Sequence, residues 1–173
     1  SFCYSGLVNS ENPSDEIWRG MNEAGFAIMN TASYNLKDDE VEEMDKEGQF
    51  MKRALEVCKD MKDFEYFLDT LSRPMGVEAN FGVIDAFGGA AYYETNNHTY
   101  VKMDVNDEEL APRGYLIYTN FSFHGRKDEG KGYIRYDTAE ELFRQFEKED
   151  FTAAHLFAGC SRSFRHFLLG IDL

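Results

Sequence analysis

The run Gly20-Met21-Asn22-Glu23-Ala24-Gly25-Phe26-Ala27-Ile28-Met29-Asn30-Thr31 decides how the rest of this chain is read. A turn of Asn, Glu and Gly leads into an apolar stretch that carries a polar amide toward an interior. A buried amide is costly unless hydrogen-bonded, so such an Asn needs a partner or a task. Alternation over Phe26 to Ser33 reads as a strand, with Phe26, Ile28 and Asn30 on one face and Ala27, Met29 and Thr31 on the other.

Outward from that strand the pattern changes in blocks. Phe2 to Asn9 reads as an earlier strand, ended by the turn-rich Ser10-Glu11-Asn12-Pro13-Ser14. The acidic run Asp38 to Glu43 reads as a solvated loop, because it lacks the Gly and ligand alternation of a calcium loop. Met51, Ala54, Leu55 and Cys58 recur at helical spacing, as do Phe64, Phe67, Leu68 and Leu71; each stripe suits a helix lying on a sheet. Pro74 and Gly76 end this pair. A β-meander follows, over Asn80 to Ala86, Ala90 to Thr95, Thr99 to Asp104 and Gly114 to Phe121. The spacing predicts one more helix from Asp137 or Thr138, with Thr138 and Glu141 as capping box, and a last one from about Thr152 toward Leu169. Strands, two helices, antiparallel strands and then helices describe an α+β domain, with antiparallel sheets covered by helices.

Composition limits the partners. The 173 residues, 43% hydrophobic and 15% aromatic, suit one domain, and the net charge of -14 repels phosphate backbones and anionic lipid. Nucleic acid is therefore not expected as a partner. No apolar run reaches the roughly 20 residues of a membrane-spanning helix. Cys3, Cys58 and Cys160 show neither metal-ligand spacing nor a disulfide framework; Cys58 and Cys160 read as small core residues.

Gly20-Met21-Asn22-Glu23-Ala24-Gly25-Phe26 resembles the G-[MIL]-N-E-x-G-[LF] segment of the choloylglycine hydrolases and penicillin acylases, and of the related isopenicillin N acyltransferase group. Asn80 to Ala86, followed by Gly88-Gly89-Ala90-Ala91-Tyr92-Tyr93-Glu94, is similar to that group's next hairpin. Tyr118-Thr119-Asn120-Phe121 is similar to its Thr-Asn motif, and Gly132-Tyr133-Ile134-Arg135-Tyr136 to its Arg-bearing segment. The four matches fall in the family's order across most of the chain. The resemblance implies an αββα sandwich of the N-terminal nucleophile type, one domain over 1–173 that is incomplete at both ends. It implies a hydrolase or acyltransferase acting on non-peptide linear amides, with a small-molecule amide as substrate and export from the cytoplasm.

In that family the nucleophile is a mature N-terminal Cys whose α-amine acts as base, so neither a metal nor an organic cofactor is expected. Cys3 is not terminal, and no Arg-x-x-Asp pair precedes Trp18-Arg19. The nucleophile is accordingly expected upstream of this chain, with Cys3, exposed by loss of Ser1-Phe2, as the lesser alternative. By the resemblance Asn120 and Asn30 are the oxyanion or amide donors and share a cavity, with Thr31 or Asn35 as substitutes for Asn30. Arg135 and Tyr34 are the substrate-binding candidates, Arg135 having a surface ion pair as its plainer reading. Asn22 and Glu23 are expected to hold their turn together. His124 reads as a solvent-facing loop residue, and His155 and His166 as packing or surface residues. A non-catalytic binding module on the same fold is the rival reading, and the assembly, a homo-oligomer included, is left open.

Overall fold

A computed structural model describes residues 1–11, 15–36, 45–127 and 132–144. Six antiparallel strands form one meander in chain order: β1 (Tyr4–Leu7), β2 (Arg19–Asn22), β3 (Ala27–Ala32), β4 (Ala79–Ile84), β5 (Ala90–Thr95) and β6 (Tyr100–Asp104). Helices α1 (Glu47–Val57) and α2 (Met61–Thr70) lie between β3 and β4 in sequence, and α3 (Tyr133–Arg144) is the last element among the described residues.

Register assigns every side chain to a face, because directly opposed residues point the same way. Ile28 opposes Val83 and Phe81 opposes Tyr93, and these four are buried. Their face is covered by the apolar stripes of the helices: Met51, Ala54 and Leu55 from α1, and Phe64 and Leu68 from α2. Phe50 stacks on Phe81 at 4.5 Å between ring centres, and Phe64 meets Tyr93 edge-on at 5.0 Å. The other face carries Met21, Met29, Ile84 and Tyr92, and over much of its length nothing in the described residues covers it; Met21 and Ile84 are each 57% exposed.

The opening turn is tied down as its sequence requires. Buried Asn22 donates both amide hydrogens, to Leu55 O at 2.8 Å and Cys58 O at 2.7 Å, while its Oδ1 accepts from Ala24 N and Phe26 N. Glu23 Oε1 accepts Cys3 N at 2.9 Å, so both residues brace the turn. Gly25 has φ +86, and a Cβ there would stand 2.7 Å from Ala86 Cβ. Gly25→Ala is therefore expected to cost about 1–3 kcal/mol, from left-handed backbone plus overlap, as a lower urea midpoint at unchanged m-value.

The turn lies at Asn22–Gly25 as expected, and it is entered from a short strand, β2, that the alternation did not offer. Two expectations change. Residues 114–121 pair with no neighbouring strand among those described; they cross the open face instead, where Tyr118 stacks on Tyr92 at 4.1 Å. The alternation there reflects packing against a sheet, which imposes the same period as membership of one. Helix α3 starts at Tyr133, ahead of the Thr138 capping box, and Thr138 Oγ1 bonds back to Ile134 O within it. The expected loop over 38–43 and helix over 152–169, with Cys160, His155 and His166, lie outside the described residues.

Candidate active site

Asn120 sits where segment 114–127 passes the Ala32 end of β3. Its Nδ2 donates to Ala32 O at 3.1 Å, and its backbone carbonyl accepts Tyr34 N at 3.2 Å. Arg135, in the first turn of α3, donates Nη2–H to Asn120 Oδ1. A guanidinium has only donors, so this contact fixes which end of the amide is oxygen and leaves one N–H of Nδ2 uncommitted in the contacts described. Gly132 makes the approach feasible: a Cβ there would lie 2.6 Å from Asn120 N, and Gly132 O accepts Thr119 Oγ1 at 2.9 Å.

Three buried side chains hold this segment in place. Asn35 accepts Ser122 N at 2.7 Å and donates to Ser122 O and Arg126 O at 2.8 and 3.2 Å. Asn80, on the open face of β4, donates to Phe121 O at 2.9 Å and accepts Ser122 Oγ. Glu94, opposite Asn80 on β5, accepts Tyr118 Oη at 2.8 Å, Phe123 N at 2.7 Å, and His124 N and Nδ1 at 2.9 Å each. Its side chain is 0% exposed, whereas that of His124 is 51% exposed. A carboxylate only accepts, so His124 presents Nδ1–H to it. These contacts bracket Thr119-Asn120 on both sides.

The four candidates from sequence separate into two pairs. Asn120 and Arg135 are in contact. Asn30 opposes Phe81, so it lies on the helix-side face, where it lines a cleft with Tyr34 and Trp18. No described cavity includes both Asn30 and Asn120. Thr31 is the β3 residue on the Asn120 side, with Oγ1 3.4 Å from Asn80 Nδ2, and Asn35 is engaged in holding the segment. Period-2 alternation accounts for the separation: adjacent residues on a strand cannot serve the same face. From sequence, Asn80, Glu94 and Gly132 entered only as members of the family-like segments, with no role of their own, and Ser122 not at all. The available signal was a Glu and an Asn inside otherwise apolar strands, Ala90–Thr95 and Ala79–Ile84.

The thiols in the described residues are not placed for this site. Cys3 is exposed and bonded to Glu23 at the turn end of β3, while Asn120 is at the Ala32 end, roughly 20 Å away for six strand residues. Buried Cys58 has its thiol pushed up to about 12, by burial first and then by Asp63 and Asp60. Burial also raises Tyr92, Tyr93 and Tyr118, the last two with help from the carboxylates of Glu65 and Glu94. In all four the folded state keeps a proton that the unfolded chain releases. Stability is then complete below about pH 9 and falls as pH rises through 9 to 11, where only unfolded thiol and phenols ionise. Thermal melts across pH 8 to 11 should show a monotonic fall in Tm.

No family model and no curated protein sequence matches the chain. Solved structures do. Penicillin V acylase from Agrobacterium tumefaciens superposes with a TM-score of 0.53 at 16% identity, covering 95% of this chain. Two variants of conjugated bile acid hydrolase from Clostridium perfringens superpose at 0.51, with 13% and 14% identity and 91% and 93% of this chain covered. The chain has the choloylglycine hydrolase-like fold of the N-terminal nucleophile hydrolases. At these identities the likeness is one of fold. The chain spans 56% of the acylase chain and 62% and 63% of the two bile acid hydrolase chains. Within this choloylglycine hydrolase-like fold, the described residues supply one sheet and its helical layer. The bare face of Met21, Met29 and Ile84 is the one that segment 114–127 crosses.

Proposed function

We propose that this chain is part of an enzyme that hydrolyses, or transfers the acyl group of, non-peptide linear amides. In this reading the nucleophile is an N-terminal cysteine upstream of Ser1. Its thiol attacks the amide carbonyl, its own α-amine takes the thiol proton, and that proton passes to the departing amine. An α-amine titrates near pH 7.7–8.0 without adjustment, so one residue supplies nucleophile and base. Asn120 gives an N–H to the tetrahedral oxygen, Arg135 holds the amide in the donating orientation, and Thr31 stands on the same side.

The observation that carries the reading is the Asn120 amide, its oxygen held by Arg135 and one N–H without an acceptor among the described residues, on a segment anchored by Asn35, Asn80 and Glu94. The fold shared with two amide-cleaving enzymes supports it. Intact-mass analysis of the full-length gene product, treated with a β-lactone or penicillin probe, tests it. One adduct on a newly exposed N-terminal cysteine is expected, with Asn120→Ala slowing acylation by roughly 10²–10³. An uncleaved leader and no adduct would reject the proposal.

A further inference from the structure

A second cavity, of about 450 Å³, opens on the opposite side of β3 from Asn120. Two aromatic residues line it, Trp18 and Tyr34, each about half-exposed at 48% and 50%. Aromatic side chains usually bury most of their area, so two rings left open along one concave surface are an unspent contact surface. Also lining it are Asn30, an amide able to donate or accept, and the acidic residues Glu16, Asp45, Glu47 and Glu78. Among the described residues, no lysine, arginine or histidine lines it.

We infer that this cleft binds an organic ammonium group, held against the faces of Trp18 and Tyr34 and neutralised by Glu16, Asp45 and Glu47. Ring faces attract a cation, more strongly when the site is partly desolvated, and nearby carboxylates add to that attraction. The Glu47 carboxyl is held above its ordinary value, by burial first, with Asp45 and Glu78 adding to it. A metal ion fits less well: among the described residues no three carboxylate, thiol or imidazole groups gather as ligands. The cleft adjoins the proposed active site through one strip of backbone. Ala32 and Tyr34 line it, yet Ala32 O and Tyr34 N are the groups that bond Asn120. The substrate class this gives is an amide carrying a positively charged amine. That last step rests on the amide-cleaving reading, whereas ammonium binding does not.

Trp18 is the one tryptophan of the chain, so its fluorescence reports on this cleft alone. Titration of the full chain with choline chloride is expected to give a saturable change in emission. The uncharged isostere 3,3-dimethylbutan-1-ol and sodium chloride at matched ionic strength should give none. By calorimetry Trp18→Ala should weaken choline binding roughly tenfold, in line with the worth of a cation on a ring face. Glu47→Gln, whose oxygen can still accept Glu78 N, and Glu16→Gln should each weaken it severalfold with the circular dichroism unchanged. A linear or absent response, an equal response to the alcohol, or carboxamide variants that bind choline like the parent would overturn the inference. Choline binding without β-lactone labelling would leave the cleft in place and reject only the enzymatic reading.

Discussion

Glu94→Ala is expected to lower the unfolding free energy by about 3 kcal/mol, read as a fall in the urea midpoint. The substitution strips the partner from Tyr118 Oη, Phe123 N, His124 N and His124 Nδ1 at once, in a place with no exposed surface to admit water freely. Glu94→Gln should fall between that and the parent, because a carboxamide keeps one acceptor oxygen but turns a donor toward the others. His124→Ala should cost much less, about 1 kcal/mol or under, since its imidazole is half in water. Equal losses for Glu94→Ala and His124→Ala would mean that the imidazole contact, and not the gathering of backbone donors, holds the segment. The same variants should slow acylation of the full-length protein, because Asn120 is carried on the strip that Glu94 anchors.

Asn22→Asp should be at least as damaging near neutral pH, about 3 kcal/mol or more, although it changes one atom. Asn22 Nδ2 points at Leu55 O and Cys58 O, carbonyls at the end of α1 where the helix dipole is negative. A carboxylate in that 5%-exposed position meets two oxygens in place of two acceptors for its hydrogens. The folded state would therefore hold the new carboxyl above its ordinary value. A group raised on folding costs nothing extra below its unfolded pKa and costs progressively more as pH rises through the folded one. The gap between variant and parent should shrink below about pH 4 and widen toward neutrality. A gap constant with pH would show that Asn22 matters through shape and not through its hydrogens.

Much of this architecture was legible because it depends on local periodicity. The stripes Met51-Ala54-Leu55 and Phe64-Phe67-Leu68 gave α1 and α2 their buried faces, and alternation along Phe26 to Ser33 assigned Ile28 and Met29 to opposite sides. The Asn22 requirement was also local, since a polar group in an apolar context must find partners wherever they are. Alternation over residues 114–121 could not distinguish a strand from a segment lying across one, because both present every second side chain to the same neighbour. The Asn30 and Asn120 pairing failed to appear as a shared cavity for a related reason. A motif resemblance placed Asn30 within a residue or two, and on a strand one residue decides the face.

Composition and period alone determined an acidic α+β domain of antiparallel strands under amphipathic helices, with a braced turn at Asn22 to Gly25. Only the tertiary structure decided that Glu94, Asn80 and Asn35 converge on the segment carrying Asn120, that Arg135 contacts its amide oxygen, and that Trp18 and Tyr34 line one acidic cleft. The hydrogen-bonded partners among these stand between 15 and 91 residues apart, and hydrogen bonds of that kind act through space over about 3 Å. Periodicity reports a residue's distance from its own neighbours along the chain; register and crossing reveal whom it meets.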